Sequence, residues 1–216
     1  ILKSRVTQVD QTGGKVVVTS HTGEVYTGDN LICTVPTYAL MNIKWNPGLP
    51  EEKIDAINQL QYARICKHAV LFSERFWKDE DFDMLTDVYG HYFYHATKNQ
   101  KGTKGSLISY TIGDKADVVS RQNDVFKANM INDSLKTAFG DVKDKILGQV
   151  NYYWGMDEYT KGGYALYGVG QWYTIMPVLK KKFKNTYFAG EHLADWQGFM
   201  EGAIVTGEHA ADEIAG

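Results

Sequence analysis

The stretch that most constrains this chain is "TYFAGEHLADWQGFMEGAIVTGEHAADEI", residues 186–214. An apolar, strand-like run stops at Gly190-Glu191, a short loop carries Trp196 and Gly198, and small and apolar residues then recur at helical spacing. Glycine at the strand end and before the helix lets backbone approach something closely. The helix start offers unsatisfied N–H groups and a partial positive charge, which suits an anion or an electron-rich carbonyl. An ordinary strand-to-helix connection has the same spacing, because a helix N-terminus becomes a site only when a ligand is supplied.

The rest of the chain predicts where that junction sits. Strands Leu2 to Val9, Lys15 to Ser20 and Glu24 to Tyr26, joined by turns at "QTGG" and "HTGE", predict an antiparallel meander. "GDNLICTVP" reads as a buried strand stopped by Pro36, and "TYALMNI" as a short helix or turn. "PEEKIDAINQL" predicts a helix opened by Pro50, with acids in its first turn and Ile54, Ile57 and Leu60 on one face. "RICKHAVLFS" reads as a strand, "RFWKDEDFDMLTD" as a loop, and "HYFYHATK" with "GSLISYTIG" as paired strands. Two helices follow, ending at Gly140, then the strand "KILGQVNYYW", a long loop, and the strand and helix of the opening stretch. Clustered strands around one helical block predict an α+β fold with a mainly antiparallel sheet.

Composition narrows the function classes. Net charge is −3 and the basic residues are scattered, apart from "KKKFK" at 180–184, so no nucleic-acid surface is expected. No apolar run approaches the ~20 residues of a membrane span, and no signal peptide opens the chain, so no membrane association is expected. Cys33 and Cys66 sit in apolar runs without ligand spacing and read as reduced core residues, with a structural disulfide the alternative; a cytoplasmic setting is favoured. His192, Asp195 and Glu201 lack metal-site spacing, and no metal is expected.

The residue identities of the opening stretch resemble the C-terminal segment of the flavin-dependent amine oxidases, the family of monoamine, polyamine and L-amino-acid oxidases. There a Y-F-A-G-E strand end precedes a Gly-aromatic pair and an E-G-A helix start, matched here by Gly190-Glu191, Gly198-Phe199 and Glu201-Gly202-Ala203. "ICTVPTYALMNIKWNPGLPEEKIDAINQLQYARICKHAVLFSERFW" resembles the family's run from a P-x-x-x-L turn through P-x-L-P to a lysine-bearing strand ending in Phe-Trp. "WGMDEYTKGGY" resembles its W-x-x-x-x-Y-x-x-G-G element, through Trp154, Tyr159, Gly162 and Gly163. The likeness spans nearly the whole chain.

The resemblance implies an enzyme that uses FAD to oxidise a small-molecule amine or L-amino acid to an imine, with dioxygen reduced to hydrogen peroxide. It implies cofactor contacts at Val6, Trp154, Tyr159, Gly190, Glu191, Gly198, Phe199, Met200 and Ala203. Val6 would meet the adenine end with its backbone, Glu191 the ribityl chain, and Met200 N–H the pyrimidine edge of the ring. Lys67 matches the lysine held through water to flavin N5; a lysine on the solvent face of the strand, with His68 pointing the other way, is the competing reading. Trp154 and Tyr159 would flank the flavin. A facing aromatic pair of the family falls on Ala165 and Phe199, leaving half of it.

Relatives with covalent FAD place a Cys directly after the Gly-Gly pair; Tyr164 stands there, which implies non-covalent FAD. The segment "HYFYHATKNQKGTKGSLISYTIGDKAD" looks closer to L-amino-acid oxidases, and the resemblance implies that Tyr94, with Tyr92 as its neighbour, would hydrogen-bond a substrate carboxylate; both could instead merely cover the sheet.

No G-x-G-x-x-G is present, so the expected partner is the N-terminal half of the same protein, which would carry the pyrophosphate cradle. The implied layout is FAD-domain strands at 1–36, a substrate-binding domain at 37–150, and a return to the FAD domain at 151–216. A non-catalytic binding or assembly module of the same fold is the alternative from another class, and a porphyrinogen- or carotenoid-oxidising relative a weaker one.

Overall fold

The computed structural model describes residues 1–216. They form two compact units, Ile1–Tyr62 with Glu158–Gly216, and Ala63–Asp157. The chain crosses between units after Tyr62 and after Asp157, not at 36/37 and 150/151 as the sequence suggests. The cause is packing: Ile57 and Leu60 share one apolar cluster with Cys33, Phe188 and Leu193, which keeps the segment after residue 36 in the first unit.

In the first unit, β1 (Val6–Asp10), β2 (Val16–Ser20) and β3 (Val25–Gly28) form the expected meander. After β4 (Leu31–Cys33) and the short helix α1 (Thr37–Leu40), strand β5 (Lys44–Asn46) pairs in parallel with β1 and extends the sheet to β3-β2-β1-β5. Three residues are too few for a period-2 pattern, and β5 is not legible in the sequence. Helix α2 (Glu51–Gln59) starts after Pro50, with Glu51 and Glu52 in its first turn, and β6 (Gln61–Tyr62) closes this part.

The second unit holds β7 (Ile65–Phe72), β8 (Asp83–Leu85), β9 (Tyr92–His95), β10 (Gly105–Ile112), α3 (Asp114–Ser120), α4 (Asp124–Phe139) and β11 (Ile146–Tyr153). The strands make one antiparallel sheet in the order β11-β7-β10-β9-β8. β8 lies inside the segment expected to be a loop. Asn123 caps α4 by accepting the Phe126 N–H at 2.8 Å, and Gly140, at φ +74°, ends it. Val70, Phe72, Phe93 and Leu107 pack with Val119, Ile131 and Leu135 of the helices, each fully buried apolar side chain contributing about 1.5–3 kcal/mol. Alternation along β7 sends Cys66, His68, Val70 and Phe72 into this core and Lys67, Ala69 and Leu71 to the opposite face.

The returning chain adds β12 (Ala165–Leu166), antiparallel to β6, the helices α5 (Gln171–Thr174) and α6 (Met176–Lys180), and β13 (Thr186–Phe188), parallel to β4. The chain ends in α7 (Met200–Ala215). Lys53 of α2 is 3% exposed, yet its ammonium donates to the carbonyls of Val178 and Leu179 at 2.8 and 2.9 Å and lies 4.0 Å from the Phe188 ring centroid. It thereby supplies donors to the orphan carbonyls at the end of α6; burial pushes its pKa down to about 8. No helix is long and apolar enough to cross a membrane.

Candidate functional site

In the first unit the site grows out of the strand-to-helix junction. β13 is wholly buried, and Ala189 N–H still bonds the Cys33 carbonyl at 3.1 Å before Gly190 breaks from the strand at φ +134°. Gly190 N–H is accepted at 2.9 Å by Thr206 Oγ1, in the second turn of α7. A Cβ on Gly190 would lie 2.8 Å from the His192 ring, and one on Gly202 would lie 2.4 Å from the Trp196 carbonyl oxygen. These two glycines let helix, loop and strand end approach closely. Thr206, which the sequence reading passes over, fixes their spacing; a hydroxyl in the second turn of the helix after a G-E pair is the signal that could have found it.

Glu191 binds the junction from the other side. Its Oε1 accepts the Gly198 N–H at 2.8 Å and the Ala165 N–H at 3.1 Å, tying the glycine before α7 to strand β12. Gly198 takes φ +82°, a conformation glycine adopts without cost. Phe199, the N-cap, gives α7 no side-chain hydrogen bond, so the first-turn amides have no capping acceptor from it. Phe199 is 60% and Met200 86% exposed at this start. Trp196 stands edge-on to Phe199 with centroids 6.4 Å apart.

Ala165 is 3% exposed and packed in the apolar cluster with Leu60 and Leu193. The ring at this place is Tyr164, whose Cγ would sit 3.2 Å from a Cβ on Gly198.

His192 is buried, and burial pushes its pKa down to about 4, so the imidazole is neutral; Tyr167 Oη donates to its carbonyl at 2.8 Å. Val6 and Tyr159 line a concavity of about 1200 Å³ with Arg5, Pro36 and Tyr38. Ala203 lies in the first turn of α7.

In the second unit the candidates gather on the sheet face opposite the helices. Antiparallel register places Tyr92, Tyr110, Lys67 and Tyr152 side by side across β9, β10, β7 and β11. Lys67 Nζ lies 4.7 Å from the Tyr110 ring centroid. Tyr92, Tyr94 and Tyr110 form a triangle of rings with centroids 5.8–5.9 Å apart. Tyr92 Oη donates to Asp83 at 3.4 Å. Trp154, in the turn after β11, packs edge-on against Tyr152 at 4.8 Å. His68 points into the core, its Nδ1 2.8 Å from Asn151 Oδ1 and its Nε2 3.1 Å from Thr111 Oγ1, and burial lowers its pKa. Both neighbours of the alternation are therefore assigned, Lys67 to the open face and His68 to the core.

Both cysteines are buried, and burial pushes both thiols up to about 11.

The family described as flavin containing amine oxidoreductase matches residues 1–215. The chain is 25% identical to an L-amino-acid oxidase of Crotalus adamanteus, over 98% of this chain and 43% of that protein. It is 29% identical to amine oxidase [flavin-containing] B of Canis lupus familiaris, over 99% of this chain and 42% of that protein. Among solved structures, a putrescine oxidase bound to putrescine superposes with a TM-score of 0.88 at 20% identity, over 99% of this chain and 49% of that one. Cyclohexylamine oxidase from Brevibacterium oxydans IH-35A gives 0.86 at 22% identity, over 97% and 47%. The chain thus spans less than half the length of the relatives it matches, and these likenesses support the mixed helix-and-sheet fold.

Proposed function

We propose, from the premise that this chain belongs to the flavin-containing amine oxidoreductases, that the protein carrying it oxidises an L-amino acid or a related amine to an imine. FAD, when bound, supplies the redox chemistry: it accepts a hydride equivalent from the α-carbon and passes the electrons to dioxygen, giving hydrogen peroxide. The chain's own residues position and polarise.

The observation that carries this reading is the start of α7. Glu191 and Thr206 fix it beside a glycine strand end, without a side-chain cap from Phe199, so Met200 N–H and the helix dipole can stabilise negative charge at the pyrimidine edge. Gly190, Gly198 and Ala203 keep backbone close, and Glu191 has its second oxygen for the ribityl chain. Val6 and Tyr159 fit the adenosine side through the concavity they share. Attachment is non-covalent, because Tyr164 follows the Gly-Gly pair and both cysteines are buried. The remainder of the cofactor site belongs to the N-terminal half.

Lys67 presents an ammonium that holds ordered water for proton transfer. Trp154 flanks the ring system, and Tyr164, in place of Ala165, pairs with Phe199 to guide the amine. Tyr94 takes the substrate carboxylate. A plain amine is the second reading, favoured by the higher identity to amine oxidase B and the likeness to putrescine oxidase. Peroxide release from L-amino acids and their decarboxylated amines separates the two. Preference for the acids, abolished by Tyr94→Phe, supports the first; equal or better rates with the amines overturn it.

A further inference from the structure

We infer that Tyr110 is a positioning residue that seats the Lys67 ammonium; the inference rests on the proposed role of Lys67. A lysine side chain on a sheet face is a flexible stem whose charged end normally extends to water. Here Lys67 lies between two tyrosines in register, Tyr110 on β10 and Tyr152 on β11, and its Nζ is 4.7 Å from the Tyr110 centroid. That distance is within the range in which a ring quadrupole attracts a cation.

The ring that receives the charge is itself held. Tyr92 and Tyr94 meet Tyr110 at interplanar angles of 68° and 86°, with centroids 5.9 and 5.8 Å away, so β9 braces the ring while Lys67 approaches from the β7 side. Edge-to-face packing of this kind fixes ring orientation. Tyr152 is committed elsewhere, its Oη donating to Asp157 at 2.6 Å and its ring packing on Trp154. The braced triad therefore limits where the ammonium can sit.

The test is competitive reductive methylation of the intact protein at one fixed pH, with Lys67 labelling measured by peptide mapping relative to the chain's other lysines. Tyr110→Phe keeps the ring and should label as the wild type does. Tyr110→Leu should raise relative Lys67 labelling about two- to fivefold, the range a partly exposed cation–π contact supports. Equal labelling of wild type and Tyr110→Leu overturns the inference, as does a Tyr110→Phe that labels like Tyr110→Leu. Should Tyr110→Leu lose its native circular dichroism, Tyr94→Leu removes one brace and should move labelling in the same direction; no change there also counts against it. Substrate oxidation unaffected by Lys67→Met would sink the catalytic reading of Lys67 while leaving the labelling contrast standing.

Discussion

Glu191→Ala tests the junction most sharply. One carboxylate oxygen accepts two backbone amides, Gly198 at 2.8 Å and Ala165 at 3.1 Å. Hydrogen bonds to a charged acceptor contribute about 1.5–3 kcal/mol each when enclosed. Glu191 is only partly buried and water can replace it in part, so the low end applies to each bond, and the expected loss is about 2–3 kcal/mol. Glu191→Gln keeps a carbonyl oxygen but no charge, and neutral bonds are roughly half as strong, so it should lose about 1 kcal/mol. Urea unfolding should show a lower midpoint at unchanged slope, the signature of a stability change without altered compactness. Amide exchange at Gly198 and Ala165 should accelerate in Glu191→Ala while β7 amides do not. A Glu191→Ala protein with wild-type midpoint and unchanged exchange at both amides would show that the clamp does not hold the start of α7.

Three further outcomes are expected. Gly202→Ala should destabilise by about 1–3 kcal/mol although alanine favours helices, because its Cβ would lie 2.4 Å from the Trp196 carbonyl. Gly207→Ala on the same helix meets nothing within 4 Å and should stabilise by about 0.5–1 kcal/mol; equal effects in thermal melts would refute the packing argument. His192 titrates at about 4 folded and near 6.5 unfolded, so the unfolded chain binds the extra proton between those pH values and stability falls as pH drops through the window. At 1.36 kcal/mol per pH unit the wild type should lose about 3 kcal/mol relative to His192→Leu between pH 6.5 and pH 4, and a constant difference in urea midpoints would contradict this. Cys33 and Cys66, buried with raised thiols, should resist a thiol reagent at neutral pH until denaturant is added; prompt native labelling would contradict their placement.

The sequence makes long periodic elements legible. β7, β9, β10, α4 and α7 stand where alternation, helical spacing, the Asn123 cap and Gly140 place them, and the three strands and α4 each bury one face in the core. β5, β8 and β12 are two or three residues long, too short for a readable alternation, and β5 and β12 exist through pairing partners distant in the chain. The same limit governs the site. Gly190, Gly198 and Glu191 follow from motif identity, whereas the Thr206 pin and the Tyr110 ring under Lys67 arise from helix and strand register. The closeness of the Tyr164 ring to Gly198 is likewise set by tertiary approach, since a two-residue strand at Ala165–Leu166 gives no alternation to read.

The most direct test of the flavin-oxidase reading is anaerobic mixing of the intact protein with a panel of L-amino acids and amines while the flavin's visible absorbance is followed. The account predicts a yellow protein bleached by at least one L-amino acid, with colour and hydrogen peroxide appearing together once oxygen is admitted. A correctly folded protein that is colourless, or one whose flavin no amino acid or amine bleaches, would contradict it.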